Sequence, residues 1–365
     1  MSKQNRLRIA ILGSVGVPAR YGGFETLADN LARFHADTGR LDALSVYCSR
    51  PAYPDRPEKF GNSELRYSRF RANGAPSVIY DATTLRDAIR QDTDVALLLG
   101  VSGAVALPVL RRGRTRIITH VDGLEWRRGK WSAPARAFLR WSEALAVRHS
   151  DAVIADSPSI ADHLRREYGV TAEVIAYGGD HAVTPPQPAS DTPPDMPDGY
   201  ALGLCRIEPE NNVQMILEAF AEATKPLVFV GNWDASTYGR ALKSRYGNAP
   251  QIRLLDPIYA PGPLYALRQG ASAYVHGHSA GGTNPALVEM MHIGHPVLAF
   301  DCVFNRLATK DAAQFFTDKD SLLAALRAGP RAGDGAALQK IAQAEYTWEK
   351  VGAQYFDLFS RVAAR

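Results

Sequence analysis

Short apolar runs alternate with amphipathic stretches along the whole chain. Leu7–Gly13, Ala43–Tyr47, Glu64–Phe70, Val95–Gly100, Arg116–Thr119 and Ala152–Ser157 are brief and β-rich, and polar or glycine-bearing breaks follow them. Between them lie segments with helical spacing: Phe24, Leu27, Leu31 and Phe34, then Asp81–Arg90 and Ala104–Arg112. Apolar runs alternating with helices predict a parallel sheet covered on both faces. Val174–Tyr177 closes this set, and residues 184–199, TPPQPASDTPPDMPDG, hold too many prolines for a packed element. Beyond Gly199 the pattern restarts with Tyr200–Cys205, Leu227–Val230, Ile252–Leu255, Ala273–Val275 and Pro296–Phe300. The expected fold class is therefore α/β, with two similar halves facing across a cleft and no true sequence repeat between them.

Composition sharpens this only in places. A chain of 365 residues is comfortable for two domains. Cys48, Cys205 and Cys302 lie far apart without CxxC or CxxH spacing, so neither a disulfide framework nor a zinc site is indicated. The first apolar run is too brief for a signal peptide, and no segment approaches the ~20 apolar residues of a membrane span. A cytoplasmic protein is expected, with any membrane contact peripheral.

The net charge of +4 is modest but uneven. Arg111, Arg112, Arg114, Arg116, Arg127, Arg128, Lys130, Arg136, Arg140 and Arg148 face only Asp122, Glu125 and Glu143 over that stretch, a surplus suited to phosphate groups. On a helical wheel Phe138, Leu139, Ser142, Leu145 and Ala146 share one face, and Arg136, Arg140 and Glu143 take the opposite one. Trp126, Trp131 and Trp141 among these arginines suit an anionic membrane interface. An ordinary core-facing helix with a charged back fits the same pattern. Nucleic acid is not expected, because no reader motif accompanies the charge.

Candidate chemistry concentrates at glycine pairs before helices. In HGHSAGGTNPALVE the apolar run ends in a loop where Gly281 and Gly282 let a ligand approach the backbone, and a helix starts at Pro285. The N–H groups of Thr283 and Asn284 are expected near that start, where phosphate oxygens bind well. Glu289 follows within about two turns, able to accept from a sugar hydroxyl. Near the amino terminus, GSVGVPARYGGFET repeats the arrangement with Gly22, Gly23 and Phe24. Its glycines are spaced too widely for the dinucleotide fingerprint, which disfavours an NAD enzyme. His120, ending the Arg116–Thr119 run beside Asp122, is a further candidate at a strand's carboxyl end. Ser157, before Pro158, has the marks of a helix N-cap.

Four phrases in order, GSVGVPARYGGFET, HVDGLEW, CRIEPENN and GHSAGGTNPALVE, give the chain its resemblance to the GT-B glycosyltransferases. Specifically, it resembles family 4 of the retaining, metal-independent enzymes and, within it, bacterial rhamnosyltransferases of surface polysaccharides. The resemblance implies two Rossmann-like domains: residues 1–182 on the acceptor side, a linker at 183–199, a donor domain at 200–345, and a tail helix, 346–365, returning to the first domain. It implies no metal or cofactor, a dTDP- or UDP-sugar donor, a lipid-linked or glycan acceptor, and peripheral contact with an anionic membrane at its inner face. Arg206 matches the arginine of the family's donor-site signature, but Asn211 stands where its lysine would be. Glu289 matches the second glutamate, and Gly281 replaces the first. Arg206, with the amides of Thr283 and Asn284, would then offset the diphosphate charge, and Glu289 would hold the nucleoside's sugar hydroxyl. Gly22, Gly23 and Phe24 would admit the diphosphate or acceptor, and His120 or Asp122 would orient the reacting sugar or act on the acceptor hydroxyl. The departures at Asn211 and Gly281 leave open a non-catalytic sugar-nucleotide or glycan-binding protein. Another GT-B enzyme, such as a sugar-nucleotide epimerase, is also compatible.

Overall fold

The computed structural model describes residues 6–20, 22–110, 113–121, 123–124, 126, 131–185, 196–331 and 333–365. Asp122, most of the proline-rich linker, and Arg111, Arg112, Glu125, Arg127, Arg128 and Lys130 lie outside them. Contacts divide the described chain into two compact units. One takes residues 6–126, 131–176 and 348–365, the other 177–347.

The first unit opens with β1 (Arg8–Leu12), α1 (Gly23–Asp37), β2 (Ala43–Ser49), β3 (Lys59–Phe60), β4 (Ser63–Ser68), α2 (Ser77–Arg90) and β5 (Val95–Leu99). It continues through α3 (Leu107–Leu110), β6 (Arg116–Val121), α4 (Ala133–His149), β7 (Ala152–Ala155), α5 (Pro158–Tyr168) and β8 (Glu173–Val174). The strands form one sheet in the order β3-β4-β2-β1-β5-β6-β7-β8. All pairs are parallel except the β3–β4 hairpin. Every residue of β5 is buried, which explains an unbroken apolar run rather than an alternating one.

The second unit contains β9 (Ala201–Leu204), α6 (Val213–Glu222), β10 (Leu227–Val230), α7 (Thr237–Tyr246), β11 (Ile252–Leu255), α8 (Pro261–Gly270) and β12 (Ala273–His276). After these come α9 (Pro285–Ile293), β13 (Val297–Phe300), α10 (Val303–Thr309), β14 (Gln314–Phe316), α11 (Lys319–Ala328) and α12 (Asp334–Glu345). Its sheet is wholly parallel, ordered β11-β10-β9-β12-β13-β14. The last helix, α13 (Trp348–Ala363), belongs to the first unit, where Gly352 fits so closely against the Phe34 ring of α1 that a side chain there would collide with it.

Two local expectations are corrected. Glu143 is 1% exposed rather than on a solvated back. It accepts from Trp126 Nε1 at 3.1 Å and from the Tyr168 hydroxyl at 2.8 Å, and lies 3.3 Å from His163 Nε2. Burying a carboxylate requires such partners, and a helical wheel cannot supply them. Ser157 does precede α5, but its hydroxyl faces that of Ser159 instead of capping a backbone amide.

Each sheet has one place where consecutive connections leave in opposite directions, between β1 and β5 and between β9 and β12. Loops at the carboxyl ends of such strand pairs diverge and leave a crevice, where ligands of open α/β sheets bind.

Candidate active site

In the second unit the β9 and β12 loops meet at that reversal. Arg206, two residues past β9, is exposed, its Nε 3.8 Å from the nearest carboxylate oxygen of Glu208. Asn211 is buried and turns inward, its Nδ2 donating to the Arg206 carbonyl at 2.7 Å. Its amide thereby braces the arginine loop. Asn212 donates to the Gly277 carbonyl at 2.8 Å, and the Ser279 N–H and hydroxyl both reach the Glu210 carbonyl, at 3.0 and 2.8 Å. These bonds lace the arginine loop to the glycine loop.

Gly281 and Gly282 are half-buried in that second loop. Gly281 adopts φ +133°, and a side chain there would meet open space, so its backbone conformation is what selects glycine. Thr283 is buried, and α9 starts at Pro285. Asn284 is the N-cap, its side-chain oxygen accepting from the Ala286 N–H at 3.0 Å. That amide is therefore occupied, so an anion placed here would meet only main-chain groups before the helix and the positive end of its dipole.

Glu289, on α9, is 7% exposed. One carboxylate oxygen accepts from Arg268 Nη2, and the other lies 3.3 Å from His181 Nε2. Burial pushes its pKa up, but the charge of Arg268, aided by His181 and His292, outweighs burial and holds it below the ordinary carboxylate value. Sequence reading missed Arg268 and His181. Both are remote in the chain from Glu289, and no local spacing marks them.

In the first unit, His120 ends β6 and is buried, its Nδ1 3.1 Å from the Tyr355 hydroxyl of α13. Phe24 packs edge-on against its ring at a centroid distance of 5.3 Å. Burial lowers the His120 pKa to about 4, so the ring is neutral at pH 7. Its Nε2 is buried with no partner among the described residues. The start of α1 differs from expectation. Glu25 turns back to accept from the Val15 N–H at 2.8 Å, and a side chain at Gly22 (φ +114°) would overlap its carboxylate. A carboxyl group of the chain itself thus occupies the α1 start, while Gly23 is exposed and Phe24 faces His120. A glutamate in the first helical turn was the available signal.

Two parallel-sheet α/β units of this topology define the GT-B glycosyltransferase fold, and comparison with solved structures agrees. The chain is similar to sucrose-phosphate synthase from Thermosynechococcus elongatus, with a TM-score of 0.82 and 16% identity over 98% of this chain and 100% of that one. It is similar to HepE from Anabaena in complex with UDP-glucose, with a TM-score of 0.69 and 16% identity over 98% and 100%. The catalytic domain of starch synthase IV from Arabidopsis thaliana, bound to ADP and acarbose, gives a TM-score of 0.74 and 12% identity over 99% and 100%. At these identities the likeness is one of fold. A family model described as a domain of unknown function, DUF1972, matches residues 6–180. No curated protein matches.

Proposed function

We propose that the chain is a retaining, metal-independent glycosyltransferase that moves a sugar, L-rhamnose from dTDP-rhamnose, onto a lipid-diphosphate-linked glycan. The carrying observation is that the loop after β9, which bears Arg206, is bonded to the loop after β12, which bears Gly281–Asn284, at the β9/β12 reversal. A departing nucleoside diphosphate gains negative charge as the glycosidic bond breaks. A guanidinium and preorganised main-chain donors offset that charge without reorganising. His120, held neutral, offers a ring nitrogen to a sugar hydroxyl; a buried polar atom left unmade costs about 1–3 kcal/mol, which such a hydroxyl would remove. Fold relatives solved with UDP-glucose and with ADP are consistent with a nucleotide-sugar donor. The rhamnose and lipid-linked parts rest on the four sequence phrases.

Peripheral membrane contact is proposed through α3 and α4. There Val109 is 70% and Trp141 54% exposed, and Arg136 and Arg148 on α4 are exposed as well. Trp126 does not contribute, since its indole N–H is committed to Glu143.

A non-catalytic nucleotide-sugar binder is the second reading, favoured by Gly281 in place of a carboxylate and by Asn211 turned onto the Arg206 carbonyl. A thermal-shift panel of dTDP-, UDP- and GDP-sugars in EDTA tests donor binding, because a ligand of the folded state raises the midpoint. At least one donor should raise it, and Arg206→Ala should weaken that binding by roughly tenfold or more. No shift with any donor, or an unchanged response in the variant, contradicts the assignment. Sugar turnover with membrane extract separates the enzyme from the binder.

A further inference from the structure

The ion pair beneath the candidate donor site carries an assignment of its own. Arg268, near the end of α8, is 7% exposed, and its Nη2 donates to Glu289 while its Nε is buried with no partner among the described residues. Stability accounts poorly for such an arrangement. Desolvating two charges offsets most of their attraction, and apolar replacements of buried pairs are often neutral or stabilising. A buried N–H left unmade adds about 1–3 kcal/mol of cost.

What the pair does achieve is orientation. A carboxylate has about four lone-pair sites; Arg268 and His181 engage one on each oxygen, and each oxygen keeps another. His181 arrives on a turn fastened to α9. There the Gly179 N–H donates to the Tyr346 carbonyl at 2.7 Å, and a side chain on Gly179 would crowd the Val288–Glu289 peptide at 2.8–2.9 Å. His292, on α9 itself, is anchored 2.9 Å from the same Tyr346 carbonyl.

We propose that Arg268 is a positioning residue for nucleoside recognition: paired with Glu289 inside the second unit, it holds that carboxylate oriented to accept a sugar hydroxyl of a nucleoside diphosphate. This rests on the donor-binding reading above. The test is calorimetric titration of dTDP and 2′,3′-dideoxythymidine diphosphate into the full chain at pH 7.5. Wild type should bind dTDP about tenfold or more tightly than the dideoxy analogue, the size expected of a hydrogen bond to a charged acceptor. Arg268→Met should bring that ratio close to one while leaving dideoxy affinity within about twofold of wild type. Arg268→Lys, which keeps the charge without the fork, should restore part of it and carries the test if the Met variant does not fold.

A purely structural role would weaken both nucleotides together at an unchanged ratio, and that outcome overturns the proposal. Equal binding of both by wild type also overturns it, with donor binding intact. Absence of binding by wild type removes the donor reading itself and the proposal with it.

Discussion

His120 and Arg206 show how environment sets the role of a charged or chargeable residue. Arg206 is exposed, whereas His120 is buried and held neutral, its pKa lowered to about 4. The lowered pKa has a sign for stability. Above pH 6.5 both folded and unfolded states carry a neutral ring, and the contribution of His120 is fully present. As pH falls from about 6.5 to 4 the unfolded chain takes up a proton that the folded one refuses, at up to about 1.4 kcal/mol per pH unit. Asp81, raised to about 7 by burial against a Ser102 hydrogen bond, acts oppositely, losing stability as pH rises from about 4 to 7. Only the difference between wild type and His120→Gln therefore isolates the histidine. Urea midpoints should show the variant losing less stability than wild type between pH 6.5 and 4; parallel curves would contradict the burial account. Arg206 and His120 were legible in the sequence because each ends an apolar run. Arg268 and His181 were not, since their meaning comes from a carboxylate brought to them only by folding.

At the scale of elements, α9 and α1 begin with similar phrases and end up electrostatically different. The Asn-Pro step marked the start of α9 correctly, because Pro285 fits the first helical turn and Asn284 caps it. Gly-Gly before Phe24 suggested the same anion site at α1, yet Glu25 fills it from within. Two substitutions at Asn284 separate capping from ligand binding. Asn284→Ala should lower stability by about 1 kcal/mol through loss of the cap. Asn284→Asp should keep the cap and the stability, yet weaken nucleoside diphosphate binding several-fold by placing a negative charge where phosphate is proposed to sit. Urea unfolding and nucleotide titration measure the two effects, and undiminished nucleotide binding by the Asp variant would remove the anion from this helix start. The short strands β3 and β14 went unread. Two or three residues bury too little apolar surface to leave a periodic signal, and central strands such as β5 and β10, buried on both faces, stood out for the opposite reason.

For the whole molecule, the double α/β pattern was legible from the restart beyond Gly199, and solved structures share the GT-B fold across nearly all of the chain. The return of α13 to the first unit supplies Tyr355 to His120, so the final residues take part in the first unit's candidate site. Among the described residues no helix is long and apolar enough to cross a membrane. The central claim is sugar transfer driven by protein cations and amides without a divalent ion. Its most direct test follows labelled sugar from dTDP-, UDP- and GDP-linked donors into membrane-extracted glycolipid, in excess EDTA, for wild type and Arg206→Ala. Label should enter the glycolipid from one donor with wild type, and fall by about a hundredfold or more with the variant. No incorporation from any donor, or incorporation only when a divalent metal is restored, would contradict the account.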